Sequence, residues 1–361
     1  MSKRSAAYVL AALLSTGLVV AARRPLQAAS VSRLPSRLAD REFWALADDL
    51  SEPGGTFRSD NLLSNESRLQ FVIPELIRTV SPGGAYVGVG PEQNFTYISA
   101  LRPSIAFIVD IRRGNLQLHL MYKALFELSA NRAEFVSRLF SRPPPDALGP
   151  RSLASDIFEA YSHSPASDAL YESNLKAIEN QLVTAHGFPL SGDDLRGIAY
   201  IYHAFYAFGP DINYSSTETG SANAGERPTY ADLMASTDAA GDARSYLASE
   251  DSFAIVKGLE SRNLVVPVVG DFAGSKAVRA VGAYLKRHDA TVSAFYVSNV
   301  EQYLRLERVW GSFCGNMARL PIDEASTLIR AGRGGRYSRG TALTAELASI
   351  AVEVEGCDRR P

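Results

Sequence analysis

The spacing of apolar residues along the chain changes several times, and each change marks an element. Phe43, Trp44, Leu46, Ala47 and Leu50 share one face of a short helix, which Glu52-Pro53-Gly54-Gly55 ends. Over residues 62–80 the apolar positions Leu69, Val72, Ile73, Leu76, Ile77 and Val80 recur every three or four residues. That spacing predicts a core-facing helix, closed by the turn Pro82-Gly83-Gly84. Residues 85–90 read as a short apolar strand ending in glycines, and 94–101 as a helix broken by Arg102-Pro103. The run Ile105-Ala106-Phe107-Ile108-Val109-Asp110 is continuously apolar rather than alternating, as in a strand buried on both faces of a parallel sheet. A long helix is predicted over 116–139. Strand, helix and strand in this order make a βαβ unit.

Arg142-Pro143-Pro144-Pro145 interrupts the pattern. Residues 151–260 show no strand pattern; helices are predicted around 154–161, 169–186, 193–208 and 248–262. A Ser/Thr/Gly/Asn-rich stretch over 214–227 reads as a loop. The α/β pattern resumes with a strand over 264–269, the turn Gly270-Asp271-Phe272-Ala273-Gly274, a helix over 276–288 and a strand over 291–297. A further helix starts at Asn299, and 326–330 reads as an edge strand. The expected fold is α/β, a Rossmann-like, mostly parallel sheet with a large helical insertion. The expected division is a leader or membrane anchor over 1–29 and a linker over 30–42. The two halves of the Rossmann-like domain occupy 43–141 and 261–331 and flank the insertion, 142–260. The Gly/Arg- and Ala-rich tail, 332–361, receives no assignment.

Composition narrows the function classes. Hydrophobic residues make up 46% and charged residues 21%, values of a globular protein with a substantial core. The net charge of −2 supplies no basic field for nucleic acid. Cys314 and Cys357 form no CxxC, and the five histidines have no metal-ligand spacing, so no metal site is expected. A bridge between the two cysteines requires a compartment that oxidises thiols. At the N-terminus, Lys3 and Arg4 precede an apolar run over 6–22, followed by Ala28, Ala29 and Ser30. This is the order of a secretory leader, although Leu26 is a poor residue three positions before a cut after Ala28. The run is also close to the shortest that crosses a bilayer. Arg23, Arg24, Arg33, Arg37 and Arg41 would hold the following domain in the cytoplasm if the anchor stayed uncleaved. The chain is therefore expected to be exported or attached to a membrane through its N-terminus, a cytoplasm-facing anchor being the other outcome.

Candidate chemistry gathers at the strand ends. Gly88 and Gly90 lie where a strand turns into a helix, so a backbone without Cβ atoms can approach a ligand there. Asp110, at the end of the next strand, is placed to accept hydrogen bonds from the ribose hydroxyls of an adenosine. Gln93 stands where a dinucleotide fingerprint has Gly or Ala, which counts against a nicotinamide or flavin. No GxxxxGK[ST] and no GxSxG is present, and no Ser/His/Asp set can be assigned. The polar stretches Ser59-Asp60-Asn61 and Ser64-Asn65-Glu66 read first as helix caps. Alternatively Asn61, Asn65 and Glu66 line the mouth of a cofactor site. Asn299 and Glu301 follow a strand end and read either as a cap or as ligand contacts. Arg112 and Arg113 read either as anion ligands or as solvated charges. His203, with Tyr200, Tyr202, Phe205, Tyr206 and Phe208, reads as core first and substrate pocket second.

The segment Tyr86-Val87-Gly88-Val89-Gly90 with Ile108-Val109-Asp110 resembles the class I S-adenosylmethionine-dependent methyltransferases, over residues 70–140 and 260–310. The resemblance implies S-adenosyl-L-methionine as cofactor, held by Gly88, Gly90 and Asp110. It also implies methyl transfer to a small-molecule acceptor that Asp271 or Asn299 orients or deprotonates. The chain departs from that family in two places. Tyr86 stands where the family has an acid, a role left to Glu92 or Glu66, with Asn65 beside them. The Asn/Asp-Pro-Pro-Tyr segment after the fourth strand is absent, which leaves Asp271 as its nearest analogue. The phrases NLLSNES, GVGPEQNFTYI, FIVDIRR, VVGDFAG and SNVEQYL also resemble a bacterial family with no assigned activity. The alternative expectation is a non-catalytic Rossmann-like ligand-binding protein, exported or membrane-attached.

Overall fold

The computed structural model describes residues 33–145, 148–217, 227–332 and 343–357. The expected leader, the start of the linker, and parts of the 214–227 and 332–361 stretches lie outside the described residues. No helix among the described residues is long and apolar enough to cross a membrane.

A six-stranded α/β sheet organises the chain in the order β3-β2-β1-β4-β5-β6. The strands are β1 (Ala85–Gly88), β2 (Ile105–Asp110), β3 (Val265–Val269), β4 (Val292–Ser298), β5 (Thr327–Gly332) and β6 (Thr344–Ser349). The first five run parallel and β6 pairs antiparallel to β5. Every residue of β1, β2 and β3 is buried, which is why their sequences are continuously apolar. Pro267 interrupts the apolar run of β3 yet pairs opposite Ile108. It is tolerated because β3 is a terminal strand, whose outer side needs no ladder donor.

Between β2 and β3 the regular structure is helical. Arg113–Leu128, Arg132–Phe140, Ala154–Ser162, Asp168–Glu179, Gly192–Phe208, Tyr230–Ala235 and Glu250–Glu260 follow one another. Only the isolated bridges Asn213 to Thr229 and Thr237 to Ala243 break the series among the described residues. The insertion shares its core with the sheet-covering helices. Phe95, behind β1, stacks edge-on against Phe126 and Tyr246, and Phe126 meets Phe135 and Phe253. The described residues accordingly belong to one compact unit.

Several elements differ from their sequence reading, each for a local reason. The helix expected over 116–139 is two helices. Ser129 turns its hydroxyl back onto Leu125 O, and Asn131 caps a new helix by accepting from Glu134 N. The helix expected over 62–80 starts only at Leu69, as a 3-10 turn that passes into Ile73–Thr79 with Pro74 in its first turn. Leu62 and Leu63 are buried in irregular chain instead. Asn61 and Ser64, the expected N-caps, precede no helix, so the capping reading fails. Ser59 accepts from Asn61 N and Ser64 from Glu66 N, as local turns. The first helix begins at Asp40, inside the expected linker. The strand expected at the sheet edge is β5, an interior strand, because β6 covers it. Both β6 and the helix Ile350–Glu355 come from the tail that carried no assignment. A Cys314–Cys357 disulfide ties the chain end to the helix Trp310–Met317.

Candidate functional site

A cavity of about 410 Å³ opens at the carboxyl ends of β1, β2, β3 and β4. Strand order reverses between β1 and β4, so the connections leaving these neighbours part and a crevice remains between them. Its walls are Val89, Gly90 and Gln93 after β1, Asp110, Ile111 and Arg112 at β2, Gly270 to Phe272 after β3, and Ser298 and Asn299 at the end of β4. Thr56, Phe57, Arg58, Asn61, Ser64 and Asn65 close one side, and Tyr214 and Arg227 reach in from the insertion. Of the residues singled out in the sequence, Gly90, Asp110, Asn65, Asp271 and Asn299 therefore share one cavity. Gly88, Glu66 and Glu92 are not on its wall.

The glycine turn is built largely for itself. Gly90 has φ +78°, the left-handed region that glycine enters without strain. Gly88 is explained by packing: a Cβ there would lie 2.0 Å from Asn94 Oδ1 and 2.9 Å from the Tyr86 hydroxyl. Those two groups form a buried hydrogen bond of 2.8 Å. The Asn94 amide donates to Val89 O, Gly90 O and Pro91 O, and His119 Nε2 bonds Gly90 O at 2.9 Å. Burial pushes the His119 pKa down to about 4, so the ring is neutral and donates through Nε2.

Asp110 ends β2, almost completely buried, and Arg112 already engages it. The backbone N–H and Nε of Arg112 donate to Oδ1, both at 2.9 Å, and Nη2 donates to Oδ2 at 2.7 Å. Arg112 also donates to Asp60 O, tying the pair to the loop over the cavity. Arg113 points the other way and grips Asp194 in a two-pronged bond of 2.7 and 2.8 Å. Burial alone would raise the Asp194 pKa, but Arg113, Ser191 and Gln117 outweigh it and hold the carboxyl well below its ordinary range. With Tyr200 donating to Asp60 at 2.7 Å, this pins the helix Gly192–Phe208 beside the cavity lip. In that helix Tyr202 and Phe205 are core, while Tyr200 and Phe208 are exposed.

Under the wall lies a buried polar cluster. Glu66 Oε1 accepts from the Tyr296 hydroxyl and, at 2.6 Å, from Ser298 Oγ, while its Oε2 has no partner. Glu92 accepts from Ser64 N at 3.3 Å. Burial raises both carboxyl pKa values, that of Glu92 to about 8. Gln93 donates to the Tyr296 hydroxyl at 3.1 Å and leaves its Oε1 unpaired. Asp271 serves its own turn. Its N–H donates to Glu52, and its Oδ1 accepts from Ala273 N. Asn299 precedes the helix Val300–Leu306 without capping it.

Sequence reasoning missed Ser298 and the mouth residues Phe57, Arg58 and Tyr303. Arg58 donates to the Tyr303 hydroxyl at 3.1 Å, and Phe57 meets the Tyr303 ring edge-on at 5.2 Å. These contacts join segments far apart in the chain, and no local pattern announces them. Among the described residues, no group of three His, Cys, Asp or Glu residues is arranged to hold a metal. No curated protein matches the chain. The family described as "Domain of unknown function (DUF7790)" matches residues 62–182 and 219–350, which include the strands that form the cavity floor. That match spans more than half of the sequence, and the chain belongs to the DUF7790 family.

Proposed function

We propose that the chain is a Rossmann-like protein of methyltransferase type, which binds S-adenosyl-L-methionine in the strand-end cavity and acts on a small-molecule acceptor. The observation that carries this reading is the position of the cavity at the point of strand reversal, with Gly90 and Asp110 on its wall. The order 3-2-1-4-5-6 is that of doubly wound nucleotide-binding sheets, from which only the antiparallel β6 departs. The side chains of Gln93 and Asn94 fill the space over the glycine turn. A pyrophosphate finds no cradle there, which favours a nucleoside without one over a dinucleotide.

A carboxylate has about four acceptor sites. Arg112 takes three of those on Asp110, leaving one for a ribose hydroxyl. The amides of Asn61 and Asn65 are the neighbouring groups for the second hydroxyl. When bound, the cofactor supplies an electrophilic methyl group. Asn299 and Asp271, which line the same cavity, orient the acceptor, and Tyr214 and Arg227 of the insertion cover it. Positioning of this kind provides much of the rate in such reactions. The test is titration calorimetry of the full chain with S-adenosylhomocysteine, together with mass spectrometry of small molecules that copurify. Saturable binding supports the reading. Absence of binding by every adenosine ligand tried refutes it.

The Cys314–Cys357 bridge favours a second reading, an exported or membrane-attached ligand-binding protein without catalysis. Disulfides persist in oxidising compartments, whereas the methyl donor is made in the cytoplasm. Free-thiol titration of chain freshly isolated from its host separates the readings. No free thiol is expected outside the cytoplasm, and two per chain within it.

A further inference from the structure

We propose that Ser298 is a nucleophile activated by Glu66, and that the cavity cleaves or transfers the acyl group of a carboxylic ester. Ser298 ends β4 and the helix Val300–Leu306 begins two residues later. A serine on a strained strand-to-helix turn is how α/β folds present a nucleophile above a sheet. Here the strain is visible: Ser298 has φ +49°, in the left-handed region that a side chain with a Cβ enters at a cost. Asn61 is the other non-glycine residue on the cavity wall with positive φ, but asparagine adopts that region readily. The pairing of β4 with β5 also shifts register between Tyr296 and Ser298, a distortion that re-aims side chains next to functional sites.

The base is in place. Ser298 Oγ lies 2.6 Å from Glu66 Oε1, and Glu66 is 1% exposed. The Tyr296 hydroxyl donates to the same oxygen and orients the carboxylate, which is the role of the third member of a catalytic set. The titratable groups facing Glu66 are Tyr296 of β4, Tyr86 of β1, and Tyr97 and Glu92 of the segment after β1. None is a cation, so among the described residues no ion pair locks Glu66 in its ionised form, and burial raises its pKa. Glu66 Oε2 and Gln93 Oε1, both buried, lack partners.

In the reaction, Ser298 Oγ bonds to the carbonyl carbon as its own proton passes to Glu66 Oε1. The ester C–O bond then breaks, and the leaving oxygen takes that electron pair and the proton back from Glu66. The acyl-serine left behind is released by water in the same two steps. The inference does not rest on the cofactor reading, since it uses Ser298 and Glu66 and neither Gly90 nor Asp110.

The test is covalent labelling of the full chain with an alkyl fluorophosphonate, read by intact mass and peptide mapping. Oγ–P forms, P–F breaks, and the serine proton goes to Glu66. The expected result is one adduct on Ser298, at least tenfold faster in the folded chain than after heat unfolding. The rate should rise with pH as Glu66 ionises, and Ser298→Ala should abolish the adduct. Glu66→Gln should slow it tenfold or more at an unchanged melting temperature. If Glu66→Gln does not fold, the wild-type pH profile decides. No adduct on Ser298, a rate that does not change with pH, or wild-type labelling in folded Glu66→Gln would each overturn the proposal.

Discussion

Replacing Asp110 with alanine tests both the fold and the site, and its effect can be worked out from the geometry. The carboxylate and the Arg112 guanidinium are 5% and 10% exposed and share two hydrogen bonds, and the Arg112 backbone N–H gives the carboxylate a third. Each bond to a charged group is worth about 1.5–3 kcal/mol, so the gross loss exceeds 4 kcal/mol. Arg112 keeps its bond to Asp60 O, and water can enter from the cavity, which returns part of that loss. The net cost of stranding one partner of a buried pair is about 3–5 kcal/mol. With a urea slope of about 3 kcal/mol per molar, the unfolding midpoint should fall by about 1–2 M. Asp110→Asn keeps one acceptor oxygen and the shape, so its cost is about half. The double variant Asp110→Ala/Arg112→Met removes both charges and strands only neutral backbone groups, the residue-112 N–H and Asp60 O. It should be more stable than Asp110→Ala alone. A cost below about 1 kcal/mol for Asp110→Ala would refute the argument, as would a double variant less stable than either single one. Ligand affinity is therefore better read from Asp110→Asn, in which the fold is preserved.

Two further outcomes follow from the packing and the charges. Gly88→Ala pushes a methyl to 2.0 Å from Asn94 Oδ1 and breaks a buried hydrogen bond, a cost of about 2–5 kcal/mol in the same urea measurement. Gly114→Ala, in a helix with nothing within 4 Å, should be neutral or stabilise by up to about 1 kcal/mol; equal losses at the two sites would contradict this account. His186 bridges Asp40 and Glu127 at 2.7 and 2.6 Å. Burial alone lowers its pKa, but the bonds and charges of Glu127 and Asp40 outweigh burial and raise it. A raised histidine pKa stabilises the fold fully below the unfolded value of about 6.5, and that contribution is lost as pH rises through the folded value. The helix Asp40–Leu50 should therefore exchange its amides faster at alkaline pH, beyond the intrinsic increase, and an NMR titration should place His186 above 6.5. A midpoint below that value would refute the assignment.

The parts of the fold that could be read from sequence are those whose local pattern and tertiary role agree. β2 was placed to the residue because a continuous apolar run has one use in an α/β protein, a strand buried on both faces. Misplaced boundaries fall where polar side chains compete with the backbone. Ser129 and Asn131 split a helix whose apolar period runs straight through them. β6 went unassigned because an edge strand needs little apolar sequence. Its burial falls away after Thr344 and Ala345, and its ladder to β5 supplies the order instead.

At the site the limit was of another kind. The sequence brought Gly90, Asp110, Asp271 and Asn299 to the strand ends, because position after a strand is a local property. It could not say what those groups touch. Asp110 looked like a free acceptor, yet the residue two places on occupies most of it. Gly88 looked like half of a ligand cradle, yet it makes room for Tyr86 and Asn94. Ser298 opens the phrase SNVEQYL but carries no catalytic motif, because its partner Glu66 comes from a loop 232 residues away in the chain. In each case the deciding fact is who satisfies a buried polar group, and that is settled by tertiary contacts alone. The glycine pair therefore supports a tight turn first and a ligand second. Groups that the contacts leave incomplete include one acceptor site on Asp110 and, in the cluster that joins Gln93, Tyr296, Glu66 and Ser298, the atoms Gln93 Oε1 and Glu66 Oε2.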